Sequence, residues 1–189
     1  MENFIGVYDN ALSVKKCDYI IDWFESNNQL WNPGECGSDD RPAIDTSIKD
    51  SMDISLNFND SDEISKIIFF SLKDAVHDYM ERYKIPTVVG KFSNDPHYNV
   101  QRYLPGQGYF AEHCEHDHAS STRILAWTLY LNDVTDGGET YYTRYDLRCE
   151  SRAGRMVIFP AYWTHAHHGI VSNTQTKYIA TGWFYLHDR

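Results

Sequence analysis

No run of about 20 apolar residues occurs in this sequence, so no helix in it can span a bilayer, and no membrane partner is expected. Basic residues are also few, 17 Lys and Arg against 27 Asp and Glu, for a net charge of -10. The shortage is uneven. Residues 1–95 hold 9 basic and 18 acidic side chains, whereas residues 96–189 hold 8 and 9. Sequence-independent nucleic-acid binding needs a basic surface, so nucleic acid is excluded as an expected partner. The near-neutral half keeps Arg102, Arg123, Arg148, Arg152, Arg155 and Lys177, enough to hold an anionic small molecule. Cysteine is limited to four residues, with no C-x-x-C pair, and the segment Met1–Ile5 lacks the basic and apolar stretches of an export leader. Reduced thiols and a cytoplasmic location are the expectation.

What is plentiful is aromatic: 15% of the chain, with 14 tyrosines. Such residues suit strands and small-molecule clefts. Still, the first half reads as helix and loop. Ser13 can cap a helix from Val14 to Glu25, with Cys17, Ile20, Ile21 and Phe24 on one face. Residues 26–50 carry turn chemistry over a length unusual for a plain connection, which makes them a candidate lid, with Trp31, Asp39 and Asp40 as notable members. Met52, Ile54, Leu56 and Phe58 alternate as a strand. Asp60 and Glu63 resemble a capping box that opens a long helix, its stripe running from Ile64 to Tyr79, with Pro86 beyond its end.

The second half reads as eight strands: 98–104, 109–116, 123–131, 139–142, 147–150, 155–159, 165–170 and 177–186. Turn signals at Pro105-Gly106, Asp136-Gly137-Gly138, Ala153-Gly154 and Ser172-Asn173 separate them. The expected fold is mainly β with flanking α: a double-stranded β-helix, or jelly roll, with the early helices packed outside it. Residues 1–189 are expected to form one domain, 1–95 as helical and loop support and 96–189 as the core.

Seven of the nine histidines fall in residues 113–187, and six of those occupy 113–118 and 165–168. On a strand, His113 and Glu115 face the same side. A third ligand from a remote strand would complete a 2-His-1-carboxylate triad, which leaves three adjacent positions of a metal open. A zinc site with an open water uses the same ligand types, and solvated turn residues are the bland alternative. The carboxylate and histidine could also come from a shifted register using His116 or His118 with Asp117 or Glu115.

These segments carry a family resemblance. Tyr103-Leu104-Pro105-Gly106-Gln107-Gly108-Tyr109, the run from Arg123 to Val134, Gly137-Gly138-Glu139-Thr140, and Gly154 to Pro160 follow in the order seen in 2-oxoglutarate/Fe(II) oxygenases of the prolyl 4-hydroxylase type. His167 precedes Lys177 by ten positions, that family's interval between the distal iron ligand and the base that holds 2-oxoglutarate. The resemblance covers about Asn99 to His187. It implies His113, Glu115 and His167 as iron ligands and Lys177 as partner of the distal carboxylate of 2-oxoglutarate. Tyr103, Thr140 and Tyr130 would hydrogen-bond that carboxylate, and Arg123 and Trp183 would face the substrate. His165 and His168 would be outlying or surface residues. The sequence departs in carrying Glu115 where Asp is usual, and in one extra residue before His113. The implied cofactors are Fe(II) and 2-oxoglutarate, with ascorbate as candidate reductant. The implied reaction uses dioxygen to hydroxylate an unactivated C–H, on a prolyl side chain of a peptide or on a free small molecule. A metal-binding jelly roll with other chemistry, or a non-catalytic sugar-binding module, uses the same scaffold.

Overall fold

A computed structural model describes residues 2–38, 41–60, 62–85 and 90–186. Pro86 and His187, like the acidic pair Asp39 and Asp40, lie outside these. The first half runs β1 (Gly6–Tyr8), α1 (Val14–Ser26), β2 (Asn32–Pro33), β3 (Cys36–Ser38), β4 (Arg41–Ala43), β5 (Lys49–Asp50), β6 (Met52–Asn57) and α2 (Glu63–Tyr83). The second half holds β7 (Phe92–Tyr103), β8 (Gly108–Tyr109), β9 (Arg123–Tyr130), β10 (Thr140–Tyr142), β11 (Leu147–Cys149), β12 (Met156–Pro160), β13 (His167–Gly169) and β14 (Lys177–Leu186).

Seven strands form an antiparallel major sheet in the order β1-β12-β9-β14-β7-β6-β2, and β11-β10-β13 form a minor one. Two further pairs, β3-β4 and β5-β8, flank them. This is the jelly-roll fold read from the sequence. The first half supplies more than helices and loops, because β1, β2 and β6 are strands of the major sheet itself.

Alternation along the three central strands divides the major sheet into two faces. Trp127 and Leu129 of β9, Ala180 and Phe184 of β14, and Tyr98 and Val100 of β7 turn outward against Ile20, Phe24, Ile68 and Leu72 of the two helices. Each fully buried aliphatic side chain there contributes roughly 1.5–3 kcal/mol. The opposite face looks toward the minor sheet, where Tyr103, Ala126, Tyr130 and Ile179 meet Tyr142 and Cys149. Residues 101, 103, 177, 179, 181 and 183 share that inner face, so one strand register sets the floor of a cavity.

The first helix starts at Val14 as expected, but the caps of both helices differ from expectation. The Ser13 side chain makes no capping bond; its backbone carbonyl accepts from Lys16 and Cys17 instead. The cap of α2 is Asp62 rather than Asp60, and it accepts from the Ser65 amide at 2.8 Å. Asp60 is consumed in a preceding 3₁₀ turn, Phe58–Asp60. The 26–50 segment is held down at its start. Trp31 stacks on Phe24 and carries the Arg102 guanidinium over its ring at 4.0 Å, while Arg102 pairs with Glu25. Trp31 therefore belongs to the packing of α1, not to a lid.

Candidate active site

The expected strand over residues 109–116 shrinks to Gly108–Tyr109. His113 instead makes an isolated antiparallel bridge to His167: each backbone N–H donates to the other's carbonyl, at 3.0 and 2.9 Å. The Glu115 amide donates to the carbonyl of Ala161 at 3.0 Å. A loop docked in this way onto β13 needs no strand to aim its side chains. Both imidazole Nε2 atoms lie 3.5 Å from Glu115 Oε1, and the three ligand atoms lie within 4.8 Å of one another. Among the described residues this is the one such group of His, Cys, Asp or Glu side chains.

The rings are oriented by their other nitrogens. His113 Nδ1 lies 3.0 Å from the carbonyl of Ala111, and His167 Nδ1 lies 2.9 Å from that of His165. A carbonyl can only accept, so each Nδ1 carries the proton and each Nε2 turns a lone pair inward. Tyr109 stacks flat on His113, with centroids 3.7 Å apart, and Phe159 meets His167 edge-on. Burial raises the Glu115 pKa, but hydrogen bonds and charge from the two histidines outweigh it and hold the carboxyl well below its ordinary range. Burial, with His113 nearby, lowers the pKa of His167 and favours the neutral ring.

The neighbouring histidines serve other ends. His165 is buried and binds the carbonyl of Asn3 through Nε2 at 2.7 Å, so it fastens the N-terminal segment rather than lying on the surface. His116 Nδ1 faces the carbonyl of Arg123, and His168 meets the Tyr141 ring edge-on. Asp117 caps a turn at the Ser120 amide.

The triad borders a cavity of about 530 Å³ that the buried Lys177 also lines. Lys177 faces Tyr103 across the β14–β7 pair, and its Nζ lies 5.7 and 5.4 Å from the Tyr103 and Tyr130 ring centres. It forms no ion pair among the described residues. Burial lowers its pKa to about 8, and the charge of Glu139 opposes that shift only in part. Tyr130 donates to Thr140 Oγ1 at 2.7 Å, which leaves the Thr140 proton for the cavity. Tyr103 donates instead to Gln101 Oε1 at 2.7 Å. On the cavity lining, the Arg123 guanidinium lies 4.0 Å over the Trp183 ring, and Trp183 Nε1 donates to Glu115 Oε2 at 2.8 Å.

Sequence reasoning missed Lys49, a lone lysine in a polar loop with nothing to mark it as buried. Paired with β8, β5 carries Lys49 to the cavity wall, where its Nζ meets Asp53 Oδ2 at 2.6 Å. Ser51 and Gln101 also donate to Asp53, at 2.8 and 3.0 Å, so the chain Lys49–Asp53–Gln101–Tyr103 is continuous. Removing one partner of a buried ion pair strands the other charge, typically at a cost of about 3–5 kcal/mol. Lys49→Met is therefore expected to lower the unfolding free energy by that amount, read as a lower denaturant midpoint at an unchanged slope. Lys49→Met with Asp53→Leu is expected to recover most of the loss. An unshifted midpoint in the single variant would show that the pair contributes nothing.

Of the 26–50 segment, Glu35, Cys36, Gly37, Pro42 and Lys49 border the cavity. Residues 98–185 match the family model described as the 2OG-Fe(II) oxygenase superfamily. None of the curated proteins matches the sequence. Among solved structures, a Pseudomonas putida prolyl-4-hydroxylase aligns at 15% identity and TM-score 0.72, covering 98% of this chain and 94% of its own. The viral collagen prolyl hydroxylase of Paramecium Bursaria Chlorella virus-1, as its 2OG complex, aligns at 17% and 0.69, covering 96% and 95%. A Trichoplax adhaerens prolyl hydroxylase, in complex with a hypoxia inducible factor peptide fragment, aligns at 16% and 0.76, covering 97% and 84%. No helix among the described residues is long and apolar enough to cross a membrane. Through residues 98–185, with the jelly roll around them, this chain is similar to the 2OG-Fe(II) oxygenase superfamily.

Proposed function

We propose that the protein hydroxylates a prolyl side chain in a peptide or protein, with Fe(II) on His113, Glu115 and His167 and 2-oxoglutarate anchored by Lys177. The observation that carries this reading is the pairing of two features in one cavity: a neutral-imidazole and carboxylate donor set, and a buried cation in no ion pair among the described residues. A hydrolytic zinc site would have no use for Lys177. The donor set suits Fe(II), which accepts two imidazoles and a carboxylate and keeps positions free. When bound, the iron would supply activation of dioxygen with 2-oxoglutarate as the two-electron co-reductant, one oxygen atom leaving in succinate with loss of carbon dioxide and the other entering the substrate C–H.

The chain's residues bind, orient and exclude water. Lys177 neutralises the distal carboxylate, and Thr140 donates to it because Tyr130 already fills its acceptor site. Tyr103 can join only by turning its proton away from Gln101. Arg123 lines the same cavity and is suited to a peptide carbonyl. The prolyl assignment rests on similarity to the three hydroxylases above, and Arg123 agrees with it. We further propose that residues 1–189 act as one domain, since β6 and β2 extend the sheet that holds Lys177. Ascorbate as reductant follows from the family resemblance, and a cytoplasmic location accords with four free thiols.

The test is succinate formation from 2-oxoglutarate with Fe(II), with and without proline-containing peptides, together with mass spectrometry of the peptide. The expected result is turnover stimulated by peptide and one added oxygen on proline. Turnover stimulated only by free small molecules would overturn the peptide assignment, and none under any condition would overturn the oxygenase reading.

A further inference from the structure

We propose that Trp183 is a positioning residue for the Glu115 carboxylate, in place of the substrate contact its family position implies. The inference rests on the metal assignment proposed above. Glutamate carries one more rotatable bond than aspartate, so its carboxylate is harder to hold in a single orientation. Here three contacts remove that freedom. The Glu115 amide is bound to Ala161, Oε1 faces both imidazoles at 3.5 Å, and Oε2 accepts the Trp183 N–H at 2.8 Å. With Oε2 occupied, a single oxygen is presented to the cation.

The indole is itself fixed. Arg123 covers its ring at 4.0 Å. Trp183 pairs regularly with Ala126 on β9. On its other side, the register with β7 breaks between Gly182 and Phe184, where Gly182 pairs with Tyr98 and Phe184 with Asn94. Asp95, Pro96 and His97 therefore stand opposite Trp183 alone. Such a bulge, with a proline in it, loosens the ladder on the β7 side of the indole, while the β9 side stays in register through Phe184 and shifts only between Phe184 and Tyr185. The longer ligand and the tryptophan that holds it form one device: indole N–H to Oε2, Oε1 to the cation.

The variant Trp183→Phe keeps a ring beneath Arg123 and removes the N–H. Titration with Co(II) alone, followed by calorimetry and by the visible ligand-field bands, reads the site without turnover. Loss of a group that orients a metal ligand typically weakens affinity by about 10- to 100-fold. That loss, an altered Co(II) spectrum and an unchanged apo-protein melting temperature are expected. In a Glu115→Asp background, where the shorter side chain draws the carboxylate back from the indole, Trp183→Phe should cost markedly less, since coupled residues are not additive. Wild-type Co(II) affinity and spectrum in Trp183→Phe, with only a raised KM for peptide, would restore Trp183 to a substrate role and overturn the inference. Equal losses in the wild-type and Glu115→Asp backgrounds would also overturn it. If the wild type takes up no Co(II), the metal assignment itself fails, and the inference with it.

Discussion

Replacing His167 with alanine is expected to remove divalent-metal binding and, with it, succinate formation. Residues that merely orient a metal ligand account for about 10- to 100-fold in affinity. Losing a ligand outright should exceed that range, which leaves the site empty at micromolar iron. The ring cannot be replaced from nearby. His165 is tied to Asn3, His168 lies against Tyr141, and His116 faces the carbonyl of Arg123. The fold should survive, because the bridge between residues 113 and 167 is made by backbone groups that alanine retains. Some stability is lost with the imidazole's packing against Phe159 and Tyr142. Calorimetric titration with Co(II), alongside a thermal melt of the apo-protein, separates the two effects. Retained metal binding in a folded His167→Ala protein would refute the ligand assignment, and retained succinate formation would place the chemistry elsewhere.

The strand pattern was readable because the central strands obey simple alternation. On β14, Lys177, Ile179, Thr181 and Trp183 take the cavity face, while Ala180 and Phe184 take the helix face. The candidate ligands stood out because the sequence clusters histidines locally and because one loop and one strand carry them all. What escaped was non-local or short. Strands of two or three residues, such as β1 and β5, have no period to detect; only the tertiary pairing with β12 and β8 makes them strands. Lys49 looks solvated until Asp53 and the wall around it are in place. The loop over residues 111–118 alternates like a strand, yet it makes its bonds one at a time to Ile48, His167 and Ala161. Residues 113 and 115 face the same way for that reason rather than through a pleat. The Trp183–Glu115 bond joins positions 68 apart, and no local pattern announces it.

Lys177→Met is expected to weaken 2-oxoglutarate binding by roughly 30-fold to a few thousandfold, while leaving Co(II) affinity unchanged. The range follows from the roughly 2–5 kcal/mol typical of truncating one partner of a buried charge pair. The pH dependence makes the prediction specific. Burial lowers the Lys177 pKa from 10.5 to about 8. A dianion beside it favours the ammonium form, so binding above pH 8 must be accompanied by proton uptake. Wild-type affinity should therefore be level below about pH 8 and fall by up to tenfold per unit above it, and the methionine variant should lack that slope. Stability without ligand moves in the opposite sense. A lysine whose folded pKa lies below its unfolded value destabilises the fold while charged, and the penalty eases as pH rises from about 8 toward 10.5. The apo Lys177→Met protein should accordingly melt higher than wild type at pH 7, with the gap closing as pH rises. A stabilised fold that has lost its co-substrate is the signature of a cation kept for binding. Unchanged 2-oxoglutarate affinity, or the same pH slope in both proteins, would assign that anchoring role to another residue.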